Sequence, residues 1–501
     1  MGSCIVIGGG FAGMSAACYL AKAGWQVTIL EKHSMPGGRA RQFKKEGFVF
    51  DMGPSWYWMP GVFEKFFNDF GYKVSDFYHL QRLDPSYRVF WDEAVDIPAD
   101  YNAIRHLFNS FEPGSANQLD RFLKGAEYKY EVGINKLVRK PGRSWSEFLD
   151  MDLAKGIVQL DVFTSMSKHI RRYFKDPRLI QLLEFPVLFL GALPRRIPAL
   201  YSLMNYADLR LGTWYPQGGM FEIVKAMKKV ATGLGVKFVF NSEVSSINIA
   251  SGTAKSVSAK VNGEEQNFEC DIVIGGADYH HIETSLLSTT YRSYDDNYWK
   301  NRVMAPSCQL YFIGLNRKVE GLRHHNLFFD TDFEVHGRAI YENPSWPDEP
   351  LFYVCAPSVT DASVAPAGSE NLFFLVPVAS GLEDTEEERK KVFDKILTRF
   401  EKAYGGIREN IVVKEEFGVR DFIRDYNAFR GNAYGLANTI MQTAIMKPSI
   451  KSRKVKNLFY TGQLTVPGPG VPPSLISGEV TAGEVNKLFG SIKRPSYDTA
   501  F

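Results

Sequence analysis

The sequence has few cysteines, almost no net charge and no long apolar run. Its 501 residues include five widely scattered cysteines that form no CxxC pair: Cys4, Cys18, Cys270, Cys308 and Cys355. This pattern indicates neither a disulfide framework nor a zinc site, so we predict no metal centre and a reducing, cytoplasmic compartment. Lys and Arg number 59 against 56 Asp and Glu, and the resulting net charge of +3 is not that of a nucleic-acid-binding protein.

Other features that define whole classes of protein are also missing. No nucleophile elbow of the Ser/His/Asp hydrolases occurs, and no repeats, low-complexity linkers or secretion signal are visible. The longest strongly apolar stretch in mid-chain, Phe185–Leu193, is shorter than the roughly 20 residues of a membrane-spanning helix. Because arginines and lysines flank it, it fits either an apolar patch on an anionic lipid surface or a buried core segment.

The most informative stretch is the first 55 residues. The apolar run Cys4–Ile7 leads into Gly8-Gly9-Gly10-Phe11-Ala12-Gly13 and then into a helix of small residues. Gly8 permits the tight turn, Gly10 lets the backbone approach a pyrophosphate, and Gly13 lets the helix pack close to the strand. The pattern predicts a phosphate-binding turn at a helix N-terminus.

A second strand, Trp25–Leu30, follows that helix and ends at Glu31. Glu31 lies 31 − 13 = 18 residues after the third glycine, a spacing that suits a carboxylate binding an adenosine ribose. A glycine-rich turn without a ligand is the alternative. The order of strand, glycines, helix, strand and acid favours a dinucleotide site.

The sequence pattern changes several times in the rest of the chain. Apolar residues recur at helical spacing between about 100 and 210, and a pattern typical of the nucleotide-binding domain returns at Gly218-Gly219-Met220. Between about 300 and 445, alternating segments suit a mostly antiparallel sheet. We therefore predict interleaved domains. Their bounds are 1–65, 215–300 and 446–501 for a cofactor domain, 66–105 and 301–445 for a substrate domain, and 106–214 for a helical, membrane-contacting region.

Near the C-terminus, a strand ending at Gly462 is followed by a loop rich in glycine and proline, Thr465–Ser474, and then by a helix. A helix N-terminus reached through glycines offers close backbone approach and a positive dipole end. Such a site suits the electron-rich pyrimidine edge of a reduced flavin. Together with the N-terminal turn, it favours FAD as the cofactor.

Several motifs give the chain a resemblance to the bacterial phytoene desaturase family, within the flavin amine oxidase superfamily, and most closely to its flavobacterial type. They are the glycine turn with Glu31, Gly37-Gly38-Arg39-Ala40, Asp51-Met52-Gly53-Pro54-Ser55, Ala277-Asp278, the block Asp421–Ala428, and Gly468–Pro472. The resemblance implies an α/β fold. It comprises a Rossmann-like FAD domain, an interleaved substrate domain with a mixed β-sheet, and a helical membrane-associating insertion.

The resemblance also implies site residues. Beside Gly8, Gly10, Gly13 and Glu31, it assigns cofactor contacts to Gly38, Arg39, Gly53, Val244, Gly462, Gln463 and Val471. Gly462-Gln463 and Pro472-Pro473 depart from the small residues that much of the family has there, which bears on which polyene is favoured.

The activity that the resemblance implies is FAD-dependent desaturation of phytoene, a C40 polyene, in successive steps to neurosporene or lycopene. Electrons would pass to oxygen or a quinone, and the apolar substrate would be reached from a membrane surface. Two alternatives remain open. One is a desaturase, isomerase or saturase of a later polyene, and the other is an isoprenoid-binding escort protein without a cofactor.

The catalytic candidates are Asp425, Asp421 and Arg424, with Asp278 as an outsider. A salt-bridged loop network explains these charges equally well. We expect Asp425→Asn to lower turnover without loss of FAD. The adjacent pairs His280-His281 and His324-His325 are not expected to bind metal, because neighbouring side chains on a strand point to opposite faces.

Overall fold

The computed structural model describes residues 2–142, 160–188 and 190–490. The strands among these residues are β1 (Ser3–Ile7), β2 (Gln26–Leu30), β3 (Gln42–Lys45), β4 (Phe48–Asp51), β5 (Leu80–Arg82), β6 (Tyr87–Phe90), β7 (Ala94–Ile97), β8 (Trp214–Pro216), β9 (Lys237–Val239), β10 (Ser242–Ala250), β11 (Thr253–Val261), β12 (Glu264–Glu269), β13 (Ile272–Gly275), β14 (Ser307–Leu315), β15 (His325–Phe328), β16 (Phe352–Cys355), β17 (Glu370–Val378), β18 (Ile411–Phe417) and β19 (Leu458–Tyr460).

Along the chain, most of the described α-helices connect strands that belong to different sheets. They are Phe11–Lys22, Pro60–Asn68, Tyr101–Phe111, Ser115–Val132, Met166–Ile170, Pro177–Leu188, Leu203–Leu209, Phe221–Gly233, Tyr279–His281, Asp296–Lys300, Phe333–Tyr341, Glu386–Tyr404, Val419–Tyr426 and Val471–Phe489.

A five-stranded parallel sheet in the order β19-β13-β1-β2-β9 contains the predicted nucleotide-binding unit. Strand β1 is central and pairs with β13 on one side and β2 on the other, and its last four residues are buried. Strands buried on both faces are continuously apolar, as the sequence showed for β1 and β13. The helix Phe11–Lys22 connects β1 to β2, so the strand–helix–strand prediction is confirmed.

A seven-stranded mixed sheet in the order β18-β14-β17-β16-β15-β6-β7 forms the second layer. All its pairs are antiparallel except β15 with β6. Strands β14 and β17 lie within the range from about 300 to 445 that was predicted to form a mostly antiparallel sheet. Strands β6 and β7 lie within the predicted first segment of the substrate domain, 66–105. The domain bounds themselves stay a prediction.

Strands β10, β11 and β12 form a three-stranded antiparallel sheet. Its second turn contains Asn262 and Gly263, both with positive φ, as a tight hairpin turn requires. The sheet carries Val244 next to the cofactor domain.

The helical region contains the apolar stretch 185–193. Its described side chains are mostly buried: Phe185, Val187, Ala192 and Leu193 are at most 2% exposed, and Leu190 lines the internal cavity. Phe189 lies outside the described residues. The flanking arginines form ion pairs, including Arg171 with Glu184 and Arg195 with Glu334. The core interpretation therefore holds for these four side chains, and contact of the stretch with lipid stays a prediction.

No helix within the ranges 2–142, 160–188 and 190–490 is both long and apolar enough to cross a membrane. Peripheral membrane association stays a prediction.

Candidate functional site

A cavity of about 450 Å³ is lined by both large sheets and by the helical region. It brings together all the predicted cofactor residues except Gly13: Gly8, Gly10, Glu31, Gly38, Arg39, Gly53, Val244, Gly462, Gln463 and Val471. Asp425 also lines it, whereas Asp421 and Arg424 are not among its lining residues. Segments more than 400 residues apart in the chain thus share one concave site.

Three glycines shape the turn after β1. Gly8 has a φ of +97°, and a Cβ on Gly13 would overlap the carbonyl oxygen of Gly8. The nearest heavy atom to a Cβ on Gly10 is the Cα of Gly38, 4.0 Å away. The two glycine backbones therefore face each other closely, and neither presents a side chain to the space beside them.

The helix Phe11–Lys22 begins at this turn. Its first intrahelical bond is donated by the Met14 N–H to the Gly10 carbonyl. The N–H groups of the first turn thus have no intrahelical acceptor, which is the arrangement that binds phosphate at a helix N-terminus.

Glu31 lies at the end of β2 and is 5% exposed. Its carboxylate accepts hydrogen bonds from the N–H groups of Gly9 (2.7 Å) and His33 (2.9 Å). Each oxygen retains a second acceptor position, so the fixed carboxylate can still bind ribose hydroxyls. Gly9 is thereby tied to the strand that carries the acid.

Arg39 is held inside the site. Its Nη2 donates to the Asn432 carbonyl at 3.1 Å, and its guanidinium lies over the ring of Tyr426. In the amide orientation that satisfies its neighbours, Gln463 accepts from Arg39 Nη2 at 3.0 Å. The sequence singled out Arg39 and Gln463 separately, and the structure joins them.

Asp278 faces the same arginine. Burial lowers the pKa of Arg39, and Asp278 opposes that change. Burial also raises the pKa of Asp278, against the Arg39 charge and N–H donors from His281 and Phe429. Asp278 is therefore a buried partner of the arginine.

The C-terminal loop approaches the cavity through Gly462 and Val471. Gly462 has a φ of +111° and donates its N–H to Ser477 Oγ at 2.9 Å. Pro472 and Pro473 have no N–H, so Val471 supplies the N–H at the start of the helix Val471–Phe489. Gly53, in the motif Asp51–Ser55, has no room for a side chain, since a Cβ on Gly53 would lie 2.5 Å from the Arg39 carbonyl oxygen.

The three catalytic candidates lie together on the helix Val419–Tyr426 and differ in setting. Asp421 is buried and pairs with Arg389 (2.6 Å) and Arg424 (2.6 Å), and it accepts the Gly418 N–H. Arg424 has a side chain that is 66% exposed. The contacts of Asp421 are those of an ion network that caps the helix. A catalytic role for Asp421 or for Arg424 stays a prediction.

Asp425 lies nearer the cavity. Burial alone would raise its pKa, but hydrogen bonds from Arg424 and Arg41 bring the pKa below its usual value. The His33 ring contacts the Asp425 carbonyl oxygen at 2.8 Å. The side chain is therefore an ionised partner of arginines near Glu31, and its catalytic role also stays a prediction.

The cavity lining divides into two groups of residues. The polar wall consists of the charged residues and histidines of the lining: Glu31, Lys32, His33, Arg39, Glu243, Asp278, His281 and Asp425. The apolar wall consists of aromatic, aliphatic and sulfur side chains: Trp56, Trp58, Met59, Ile134, Val138, Leu190, Tyr201, Leu203, Met204, Cys308, Leu310, Tyr353, Leu375 and Tyr434.

Behind the apolar wall is a cluster that sequence reasoning missed. Tyr353 Oη lies 2.6 Å from His325 Nδ1 and 3.0 Å from Ser55 Oγ. Ligand atoms of His324, His325 and Cys355 lie within 4.8 Å of one another. The argument that adjacent histidines point apart is thus wrong for this pair, because His324 precedes β15 and is not held by its pleat. The absence of a metal stays a prediction.

Lys447 was also missed. It is 5% exposed, and its Nζ has no hydrogen-bond partner among the residues that the structure describes. Burial lowers the pKa of Lys447 to about 7. Its Nζ lies 3.4 Å from the position of a Cβ on Gly468, close to the Asn438 side chain that lines the cavity. A lone lysine in a loop carries no motif, so no signal in the sequence marked it.

The polar wall fits FAD on physical grounds. The Gly10–Gly38 approach, the N–H groups at the helix start and the fixed Glu31 carboxylate provide the contacts that a dinucleotide needs. Arg39 Nε is buried and lacks a partner within the described part of the chain, which leaves a donor for an acceptor atom of the cofactor.

Comparison with known proteins agrees with this geometry. Residues 11–486 match the family described as flavin containing amine oxidoreductase. The chain is 42% identical over 481 residues to a carotenoid 3,4-desaturase of Haloarcula japonica, covering 95% of this chain and 96% of the relative. It is 32% identical to a zeta-carotene-forming phytoene desaturase of Myxococcus xanthus, covering 95% and 92%.

Among solved structures, putrescine oxidase bound to putrescine matches with a TM-score of 0.61 at 14% identity, covering 97% of this chain and 99% of that one. At this identity the match shows the fold alone. The predicted resemblance, the α/β fold of the flavin amine oxidase superfamily and FAD as the cofactor are confirmed, whereas the membrane-associating insertion stays a prediction. The chain belongs to the flavin containing amine oxidoreductase family and is an FAD-dependent oxidoreductase related to the carotenoid desaturases.

Proposed function

We propose that the protein is a carotenoid desaturase that acts on the 3,4 bond of a polyene already conjugated. One observation carries the choice: the identity to the carotenoid 3,4-desaturase is 42% over nearly the whole of both chains, against 32% for the phytoene desaturase. This is the later-polyene alternative raised by the sequence, now preferred to phytoene. The escort alternative is not retained, because the cofactor is FAD.

The two walls of the cavity bind different molecules. Gly10, Glu31 and Arg39 hold the dinucleotide, and the loop from Gly462 to Val471 holds its flavin end. When bound, FAD supplies the hydride acceptor for CH–CH oxidation. The residues of the apolar wall bind and orient the polyene and exclude water from the reacting bond, since apolar pockets gain their binding energy by burying apolar surface.

Stepwise desaturation of phytoene to neurosporene or lycopene is the second candidate. The 32% identity to the phytoene desaturase of Myxococcus xanthus favours it. In either case oxygen or a quinone is our proposed electron acceptor. Because such substrates dissolve in lipid, we also propose that the protein is cytoplasmic and meets a membrane surface peripherally.

One reconstitution tests the choice. The holoenzyme is mixed with liposomes that contain either phytoene or an acyclic, already conjugated carotenoid, and absorption spectra are followed. We expect a shift to longer wavelength with the conjugated carotenoid and none with phytoene. The reverse result would select phytoene desaturation, and no shift with either would reject both.

A matched pair of variants connects the activity to the cavity. Leu203→Trp fills part of the apolar wall and is expected to lower turnover about tenfold or more while FAD content is kept. Leu200→Trp changes a half-buried leucine that does not line the cavity and serves as the control. Equal turnover in the two variants would place the substrate elsewhere.

A further inference from the structure

Desaturation removes two hydrogens, one as hydride and one as a proton, and the proton needs an acceptor near the polyene. The apolar wall contains a phenol that contacts a base. Tyr353 lies on β16, lines the cavity and is 6% exposed. Its Oη is 2.6 Å from Nδ1 of His325, a distance typical of a strong hydrogen bond.

His325 is positioned as a neutral base. It is fully buried, and burial together with the neighbouring His324 holds its pKa well below the usual value. An uncharged imidazole has one nitrogen free to accept a proton. Its Nε2 has no partner in the described ranges, so the contact with Tyr353 is the polar contact that orients the ring.

The ring of His325 also stacks on Trp56. Their centroids are 4.1 Å apart and the planes differ by 8°. Trp56 also lines the cavity. The face of an indole attracts a cation that lies over it, more strongly where water is excluded. The stack therefore offsets part of the penalty that burial imposes on a protonated His325.

The other acidic and phenolic groups of the cavity are differently engaged. The carboxylates belong to the polar wall, where Glu31 binds backbone N–H groups and Asp425 pairs with arginines. Of the phenols in the apolar wall, Tyr201 contacts the Thr443 hydroxyl and Tyr434 contacts the Cys308 thiol, whereas Tyr353 contacts both the Ser55 hydroxyl and an imidazole. Tyr353 thus combines a place beside the polyene with a basic partner.

We propose that Tyr353 is the catalytic residue that receives the substrate proton and that His325 is the positioning residue that takes the phenolic proton in exchange. As the C–H bond breaks, its electron pair becomes the second bond of the new C=C. The proton goes to Tyr353 Oη, and the Tyr353 hydroxyl proton moves to His325 Nδ1. The hydride goes to FAD. The carbon cation that remains after hydride loss is a strong acid, so a weak base suffices to deprotonate it.

This inference rests on the proposed function, and its test is made with the carotenoid that the wild-type holoenzyme converts. The variants are Tyr353→Phe and His325→Gln, with Tyr57→Phe as the matched control. Tyr57 is a buried tyrosine whose hydroxyl contacts Tyr78 outside the cavity lining. Flavin content is measured first, and all three are expected to retain it.

In anaerobic single turnovers, desaturation by Tyr353→Phe is expected to slow about 100-fold, and that by His325→Gln about tenfold or more. Substrates deuterated separately at the two carbons give the decisive readout. In Tyr353→Phe the isotope effect at the proton-losing carbon should rise while that at the hydride-losing carbon falls. A merely structural role would leave their ratio unchanged, and a rate within twofold of wild type would overturn the proposal.

A second measurement needs no substrate. A strong Oη–H···Nδ1 hydrogen bond gives a far-downfield proton resonance in the holoenzyme, which both Tyr353→Phe and His325→Gln should remove and Tyr57→Phe should keep. A spectrum unchanged by Tyr353→Phe would overturn the inference about the pair. Failure of the proposed function is distinct, because the wild type itself would then leave every polyene spectrum unchanged.

Discussion

The polar and apolar walls of the cavity are built in opposite ways. The part of the polar wall from Gly8 to Arg39 depends on backbone geometry within a short stretch and on one carboxylate fixed by two N–H groups, and Glu243, Asp278, His281 and Asp425 join it from elsewhere in the chain. The apolar wall collects side chains from the segments near 56, 134, 203, 308 and 434. A ligand with a defined charge pattern requires a fixed local motif, whereas an apolar ligand requires a shape that many side chains can provide.

The largest effect should come from the glycine turn. Gly13→Ala places a Cβ closer to the Gly8 carbonyl oxygen than real Cβ contacts come, so the helix must move away from β1. We expect a loss of stability of about 3 kcal/mol or more and little bound flavin. The ratio of flavin to protein absorbance measures this. Gly125→Ala, where a Cβ meets nothing within 4 Å, should instead be neutral or slightly stabilising.

The buried Lys447 is expected to make the free energy of unfolding depend on pH. Its folded pKa of about 7 is below the unfolded value, so the folded state binds fewer protons and stability rises as pH increases from about 7 toward 10.5. Between pH 7 and 9 this contribution is about 2 kcal/mol. Urea unfolding of the holoenzyme at both values, compared with Lys447→Met, measures it. Parallel changes in the two proteins would show that a bound group neutralises the lysine.

Asp421 and Asp425 lie on one helix, and their variants distinguish a structural role from the catalytic role that we predict for Asp425. Asp421→Asn weakens the contact with buried Arg389, and we expect a loss of about 2 kcal/mol in unfolding free energy with unchanged turnover per bound flavin. Arg424→Ala, at an exposed side chain, should change stability by less than about 0.5 kcal/mol. Asp425→Asn should lower turnover with FAD retained. Full activity of Asp425→Asn would remove it from the catalytic candidates.

A smaller effect than that of Asp421→Asn is expected for a change at Glu31. Glu31→Gln replaces the carboxylate by an amide, whose NH₂ group then faces one of the two backbone N–H groups that donate hydrogen bonds to Glu31. We expect FAD to bind about tenfold more weakly, or about 1.4 kcal/mol. Flavin fluorescence on dilution gives the dissociation constant. Glu264→Gln on the exposed strand β12 is the control, and equal affinities would contradict a role for Glu31 in cofactor binding.

The sequence predicted the parts of the fold that local patterns specify. The strand–helix–strand unit, the β10–β12 meander and the buried strand β13 all follow from periodicity and turn residues. Thr385 caps the helix Glu386–Tyr404 at its start, because its side chain accepts from the Glu388 N–H. In these places the physical cause lies within a few residues.

Contacts between distant segments were beyond such reasoning. The pair His325–Tyr353 depends on the register of β15 with β16, and the contact of Arg39 with Gln463 depends on how two loops 424 positions apart meet. The stretch 185–193 showed the same difficulty, because its apolar residues alone did not distinguish core from lipid. The burial of Phe185, Val187, Ala192 and Leu193 results from tertiary packing, which the local sequence does not specify.

The meeting of the helices Phe11–Lys22 and Val471–Phe489 has a consequence for biosynthesis. A Cβ on Gly478 would lie 2.6 Å from the Ala12 carbonyl oxygen, and Ser15 Oγ donates to the Leu475 carbonyl 460 residues later. At 5–20 residues per second, the ribosome makes these partners roughly half a minute to a minute and a half apart. Until then, the face of the helix Phe11–Lys22 that packs on the C-terminal helix has no partner, so we predict that FAD is captured only after the C-terminal helix has been translated.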